Sequence, residues 1–123
     1  MAVRRTNPDF LNGVPEMLLL RLLQERPQHG YELVRAIRER SAGVLDFGEG
    51  AIYPVLHRLE QQGLLRSRRE SVKGRSRIVY RLTRAGSKRL QGAASRWEEV
   101  VRSVNLLLHG GENGLAPVAE PVG

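Results

Sequence analysis

Half of the basic charge of this chain lies in one stretch near its middle. Ten of the twenty Lys and Arg residues fall between Arg66 and Leu90, with Glu70 as the one acid among them. The stretch therefore carries a net charge of +9, against +7 for the whole chain, so the remainder sums to −2. Soluble surfaces normally mix the two signs along their length. We therefore expect a polyanionic partner, with nucleic acid first and an anionic membrane surface second.

The same stretch has the pattern of a β-hairpin. Residues 64–70 and 77–82 predict two short strands, and residues 71–76 predict the turn between them, with Gly74 at its tip. Alternation along the second strand indicates a half-buried ribbon with one solvated face. On that strand we expect Ile78, Tyr80 and Leu82 to point one way, and Val79 and Arg81 the other.

The helical spacing of apolar residues predicts three helices before the hairpin. The first begins near Pro15, is apolar over most of its circumference and ends before Pro27. The second begins near His29 and Gly30 and stops at residues 41–43.

The third helix is predicted from Glu49 to Gln62, with Gly63 as its C-terminal cap. Pro54 falls in roughly its first turn, where the N–H that proline lacks is not needed. In the link before this helix, residues 44–48, we expect a core side chain from Leu45 or Phe47. The buried stripe of the helix is Ile52, Val55, Leu56 and Leu59.

A long helix follows the hairpin, from Thr83 as its predicted N-cap to Gly110 and Gly111. Apolar residues recur along it at intervals of 3 and 4, which is a heptad-like seam. A helix with such a seam is not stable alone in water, so it packs on its own domain, on a second copy of the chain, or on both. The seam, our predicted dimer interface or ligand surface, consists of Leu90, Ala94, Trp97, Val101, Val104 and Leu108.

Trp97 lies in the middle of this seam and fits two roles. It is either an anchor of the dimer interface, as tryptophan commonly is, or a wall on which a flat ligand stacks between subunits. We favour the anchor because a single tryptophan at helical spacing is usually a core residue.

Together these elements predict one domain that is mainly α with a small β-hairpin, a winged helix-turn-helix followed by a long C-terminal dimerisation helix. We expect a flexible basic arm at residues 1–13 and the DNA-binding domain at residues 14–83. The dimerisation helix is expected at residues 84–110 and a disordered tail at residues 111–123. A hydrophobic fraction of 41% suffices for a core of this size.

Composition argues against several other classes of protein. No cysteine is present, which excludes disulfides and thiolate metal sites. His29, His57 and His109 lack the spacing of metal ligands or of a catalytic group, and the glycines form no phosphate loop. We therefore expect no enzyme, metal or cofactor. No apolar run could span a membrane and no export signal is visible, so we expect a cytoplasmic protein.

The third helix and the hairpin are the parts that touch DNA in a winged helix-turn-helix. An ordinary core helix would bury the same stripe, so the charge of the hairpin decides between the two interpretations. A hairpin without a partner would also have to tolerate the repulsion of its own charges. The residues expected to contact DNA backbone or groove edges are Gly50, Ala51, Pro54, His57 and Arg58 on the helix, and Lys73, Gly74, Arg75 and Arg77 on the wing.

Four segments of the sequence resemble the PadR family of bacterial transcriptional regulators. They occur in the family's order and spacing and span roughly residues 15 to 90. The short C-terminal part resembles the smaller subfamily, which has a single C-terminal helix. The segments are HGYEL at residues 29–33, GAIYP at 50–54, RLEQQGL at 58–64, and GRSR with YRLTRAG at 74–77 and 80–86.

The resemblance implies a homodimer that binds a near-palindromic operator, usually as a repressor. In some members a small aromatic or hydrophobic ligand releases the DNA. The resemblance also places Tyr31, Tyr53 and Pro54 at the DNA face, and the basic residues of the wing on the DNA backbone or in the minor groove. Tyr53 is expected to pack its ring in the core while its hydroxyl reaches a phosphate.

Two questions stay open at the level of sequence. Arg58 either contacts DNA or pairs with a carboxylate such as Glu60 or Glu32. The alternative function is a winged-helix module that binds RNA or a protein partner without a ligand response, since charge attracts either nucleic acid. If the chain binds double-stranded DNA, a twofold dimer would match its two recognition helices to half-sites one helical turn of DNA, roughly 34 Å, apart.

Overall fold

The computed structural model of the chain describes residues 13–110. It has three helices, then a β-hairpin, then a long fourth helix, as the sequence predicts. The predicted fold class is confirmed. The predicted arm, apart from residue 13, and the predicted tail lie outside the described residues. The described elements are α1 (Val14–Glu25), β1 (Gln28–His29), α2 (Gly30–Arg40), α3 (Glu49–Gln61), β2 (Leu65–Val72), β3 (Arg75–Leu82) and α4 (Arg84–His109).

The core is built from the first three helices and the link before α3, and Leu65, Tyr80 and Leu90 of the following elements complete it. Phe47 is the link residue that enters it, while Leu45 packs against it partly exposed. Val55 of the predicted stripe is half-buried, and the other three members are fully buried. Each fully buried apolar side chain stabilises the fold by about 1.5–3 kcal/mol relative to the same side chain left exposed. The deepest side chains include Leu19, Leu20, Leu33, Phe47, Ile52, Leu56 and Leu59.

A short strand between α1 and α2 was not predicted. In β1, Gln28 pairs with Tyr80 and His29 with Val79, which gives an antiparallel sheet in the order β1-β3-β2. The buried Gln28 side chain also donates to the Leu22 carbonyl (2.9 Å), one of the acceptors left open at the end of α1. The wing is therefore tied to the helical core along one edge.

The hairpin turn is shorter than predicted. Strand β2 continues to Val72 and β3 begins at Arg75, so Lys73 and Gly74 alone form the turn, instead of the six residues predicted. Both have positive φ, 51° and 77°, which is the type I′ geometry that matches the twist of the flanking strands. The prediction failed because lysine is not a usual residue at the first turn position. The longer strands carry the turn further from the core.

Burial along β3 follows the predicted alternation only in part. The register places Arg69 opposite Ile78 and Ser67 opposite Tyr80, so these four share what we call the cleft face of the wing. Ile78 is nevertheless 37% exposed, whereas Val79 of the opposite, outer face is 6% exposed. The predicted wet face is therefore wrong at Val79, because β1 pairs alongside that residue, while Ile78 lies beyond the pairing with β1.

The start of α4 is held against the corner between α3 and β2. The Thr83 hydroxyl oxygen accepts the Gly86 N–H (3.1 Å), which confirms the predicted N-cap. The Thr83 N–H donates to the Leu64 carbonyl (3.1 Å). A Cβ on Gly86 would overlap that carbonyl oxygen and lie 2.6 Å from a Leu82 methyl group, so only glycine fits here.

Described residues fall into two compact units, 13–90 and 91–110. The first contains the helix-turn-helix, the wing and the opening turns of α4. In the second, α4 continues to His109, and Gly110, with a φ of 65°, ends it by donating its N–H to the Leu106 carbonyl (2.8 Å). None of the helices within residues 13–110 is long and apolar enough to cross a membrane.

Replacing Gly86 should destabilise the fold through this contact. We expect Gly86→Ala to lower the free energy of unfolding by about 1–3 kcal/mol, because the added Cβ meets backbone that is held by hydrogen bonds. Gly50→Ala is the control, since nothing lies within 4 Å of a Cβ there, and it should be neutral or stabilise α3 by up to about 1 kcal/mol. Urea unfolding measures both, and equal effects would contradict the close approach.

Candidate nucleic-acid interface

A cleft of about 490 Å³ lies between the start of α2, helix α3 and the wing. Four of the predicted site residues border it: Tyr31, Tyr53, His57 and Arg77. The structure thus brings together residues that are up to 46 positions apart in the sequence (31 to 77).

Tyr53 of α3 lies against the first residue of α2. A Cβ on Gly30 would be 2.5 Å from Cε1 of the Tyr53 ring, so the glycine permits this contact. The ring also packs on the core, which confirms that part of the prediction, whereas the contact of its hydroxyl with a phosphate stays a prediction. Burial raises the pKa of Tyr53, the Glu49 carboxylate raises it further, and Arg77 opposes both. The hydroxyl is therefore protonated at neutral pH and available as a donor.

Tyr31 stands at the outer rim of the cleft. Its side chain is 49% exposed, and the Arg35 guanidinium carbon lies 5.8 Å from the centroid of its ring, within cation–π range. The start of α2 below it is fixed because the His29 N–H donates to Glu32 Oε1 (3.1 Å). Tyr31 is thus an exposed aromatic donor on a capped helix end.

The leading end of α3 is open to solvent. Gly50, Pro54 and His57 are exposed and Ala51 is partly exposed. Pro54 is the sixth residue of the helix and lies in its second turn, so the predicted first-turn position is wrong. Proline cannot donate to the Gly50 carbonyl, and this loss is tolerable because that end of the helix is wet. A surface of small side chains with an accessible backbone results.

Arg58 has an internal partner that the sequence analysis did not name. Its guanidinium pairs with Glu16 of α1 (3.2 Å), so the predicted partners Glu60 and Glu32 are both wrong. Glu16 also accepts from Arg89 of α4 (3.3 Å). Arg58 and Glu16 are 42 positions apart, a distance at which no local pattern could reveal the pair. The role of Arg58 in DNA contact stays a prediction.

Charge is distributed unevenly over the wing. Glu70 pairs with Arg81 (2.5 Å) and Arg68 (3.2 Å) on the outer face, and the Arg81 guanidinium beside it lowers the pKa of this carboxyl despite some desolvation. Within residues 13–110, no ion pair reaches the three basic residues at or near the turn, Lys73, Arg75 and Arg77. The tip of the wing is therefore its uncompensated part.

Seven residues that border the cleft were not predicted as site residues: His29, Gly30, Glu49, Arg69, Ser76, Ile78 and Tyr80. The Arg69 guanidinium donates to the Ser76 hydroxyl across the hairpin (3.0 Å). Arg69 could have been found from the predicted strands, because pairing their ends, Glu70 with Arg77, places it opposite Ile78.

A model of the transcriptional regulator PadR-like family matches residues 19–92, which is more than half of the chain. The chain belongs to this family. The resemblance seen in the sequence is thereby confirmed, and the placement in the smaller subfamily stays a prediction. The matched region contains α2, α3, the wing and the beginning of α4.

Relatives of this PadR-like chain include a transcriptional regulator of Mycobacterium tuberculosis, Rv3488. It is 40% identical over 83 residues, which are 68% of this chain and 64% of the relative. An uncharacterized protein of Lysinibacillus sphaericus is 30% identical over 83% of this chain and 94% of its own length. The matched family and the named relative are transcriptional regulators rather than enzymes.

Solved structures share the fold. A PadR-like transcriptional regulator from Bacillus cereus is 29% identical, with a TM-score of 0.73 over 84% of this chain and 99% of that one. A PadR family transcription regulator from Clostridium difficile is 28% identical, with a TM-score of 0.69 over 78% and 99% of the two chains. The winged-helix architecture of this PadR-like chain is therefore shared with proteins of known structure.

The predicted seam of α4 is buried only at its beginning. Leu90 is 5% exposed and belongs to the core of the first unit, instead of the open seam. Ala94 and Val101 are partly exposed. Further along α4 the single PadR-like chain exposes Trp97 (41%), Val104 (46%) and Leu108 (70%).

The electrostatics of the cleft can be tested through Tyr53. Glu49→Gln should lower the pKa of Tyr53 and Arg77→Ala should raise it, because the carboxylate disfavours the phenolate and the guanidinium favours it. Each variant is titrated by tyrosinate absorbance against the same variant carrying Tyr53→Phe, so that the difference reports Tyr53 alone. Shifts in one common direction, or none, would contradict a hydroxyl placed between these two charges.

Proposed function

We propose that this PadR-like chain binds double-stranded DNA sequence-specifically, as a homodimeric repressor of a near-palindromic operator. The observation that carries the proposal is the uncompensated charge of the wing tip, on a hairpin that shares one cleft with the exposed end of α3. Helix α3 enters the major groove and the wing follows the backbone or the adjacent minor groove.

Helix α3 supplies the sequence-reading part of the proposed interface. Its leading end has Gly50 and Ala51, which let the backbone approach the groove, followed by Pro54 and His57. Imidazole can hydrogen-bond a base edge, and the Ala51 methyl group can contact a thymine methyl group. Arg58 pairs with Glu16 of α1, which positions its exposed guanidinium on α3, and we keep it as a proposed DNA contact.

The wing supplies affinity rather than sequence preference. Lys73, Gly74 and Arg75 lie at or beside the turn, where long side chains reach phosphates on either side of a minor groove. Their contacts replace counterions of the DNA, so binding should weaken steeply with salt.

Dimerisation supplies the twofold symmetry of the operator. The apolar seam of α4 stays exposed in the single chain from Trp97 onwards, and a second copy is the occupant with a matching seam. We propose Trp97 as an anchor of this interface, with a flat aromatic or hydrophobic effector stacking beside it. An effector at this position would shift the two DNA-binding units relative to each other.

Titration with duplex DNA, duplex RNA and an acidic protein at two salt concentrations tests the proposed function. We expect tight binding to one near-palindromic duplex, weakened about 10³- to 10⁵-fold between about 50 and 200 mM salt if roughly 6–10 phosphates are contacted.

Lys73→Ala with Arg75→Ala should weaken binding to every duplex about equally and flatten the salt slope. His57→Ala should instead change which duplex is preferred. Unchanged binding by the wing variant would contradict the proposal.

The dimer is tested with a matched pair of substitutions on α4. Val104→Glu places a carboxylate in the seam and should convert a dimer into a monomer, whereas Ser103→Glu adds the same charge next to it, outside the seam, and should leave the dimer intact. Sedimentation equilibrium over a range of protein concentrations measures the mass of each. A monomeric wild-type protein, or equal effects of the two variants, would contradict the assignment.

A further inference from the structure

Two neighbouring grooves of duplex DNA are separated by one sugar-phosphate strand. If α3 occupies a major groove and the wing tip reaches the adjacent minor groove, as proposed above, that strand must pass between them. The space between α3 and the wing is the cleft of about 490 Å³. The inference that follows rests on the proposed function and extends it to the partner of this cleft.

We propose that the cleft binds the phosphodiester strand between the two grooves, with Arg69 as a direct phosphate ligand that Ser76 positions. Arg69 lies on the cleft face of β2, opposite Ile78, and borders the cleft. Its Nη1 donates to the Ser76 hydroxyl (3.0 Å), which holds the guanidinium across the hairpin, and its other N–H groups have no hydrogen-bond partner within residues 13–110 and can donate to a phosphate.

The polar groups around the cleft suit a phosphodiester. Arg69 and Arg77 come from the wing, and Tyr31 and Tyr53 add hydroxyl donors from the helices. Glu49 is the one acid among the described lining residues, and it lies at the start of α3, close enough to Tyr53 to affect its titration. Repulsion by Glu49 therefore places the bound strand toward the wing, where Arg69 lies.

Arg69 differs from its neighbours on the same strand. Arg68 is bound to Glu70 on the outer face, and Arg66 also lies on that face, opposite Arg81. All three side chains are exposed, so an interaction with solvent alone would make them equivalent. Arg69 lies on the cleft face of the wing, whereas Arg66 and Arg68 lie on its outer face. Arg66 therefore serves as the control for Arg69 in the experiment.

The test compares Arg69→Ala with Arg66→Ala, two changes that remove the same exposed charge from the same strand on opposite faces. We measure the affinity for the preferred duplex over a range of salt concentrations. Arg69→Ala should weaken binding about tenfold and reduce the slope of log affinity against log salt by about 0.9, the value of one phosphate contact. Arg66→Ala should change both much less. Arg69→Lys should keep the slope while losing part of the affinity, because lysine retains the charge without the fork of donors.

A second measurement locates the phosphate. Replacing one phosphate at a time by an uncharged methylphosphonate, along the strand between the two grooves, should reveal a position at which the loss is not additive with Arg69→Ala. Additive losses at every position, or equal effects of Arg69→Ala and Arg66→Ala, would overturn the inference while DNA binding itself stands. Failure of the wild-type chain to bind any duplex would overturn the proposed function and the inference with it.

Discussion

The backbone at Gly63 and Leu64 connects three elements on which the proposed interface depends, helix α3, the wing and the start of α4. The Leu64 N–H donates to the Leu59 carbonyl (2.9 Å) and closes α3, while the Leu64 carbonyl accepts the Thr83 N–H (3.1 Å) at the start of α4. The Thr83 hydroxyl donates to the Gly63 carbonyl (2.8 Å) and its oxygen caps Gly86. These four hydrogen bonds fix the end of α3, the beginning of β2 and the first turn of α4 against one another.

Elements that bury one face were predictable from the sequence, because burial of one face makes apolar residues recur at regular intervals. Ile52, Leu56 and Leu59 marked α3 in this way, and Thr83 marked the start of α4. Strand β1 has two residues, too few for any period, and the positive φ of Lys73 is a choice that the twist of two strands imposes on an unusual residue. Contacts between distant elements, such as the two arginines on Glu16, leave no local signal.

The sequence predicted which elements form the candidate site, but it did not predict every residue that borders it. The wing tip and the exposed side of α3 followed from charge and helical spacing. Arg69 did not, since the sequence analysis assigned no register to the two strands, and it is the pairing of Glu70 with Arg77 that places Arg69 opposite Ile78. The basic residues of the wing thus include arginines that pair with Glu70 on the outer face and basic groups at the tip that have no acidic partner among the described residues.

The central claim is that α3 and the wing read DNA as one surface, presented twice by a dimer. Selection of preferred duplexes from random DNA, followed by hydroxyl-radical footprinting of the selected duplex, tests it most directly. The account predicts two related half-sites about one helical turn apart, with protected sugars on the strand between the major groove and the flanking minor groove of each. Enrichment of no sequence, or a single unsymmetrical footprint confined to one groove, would contradict it.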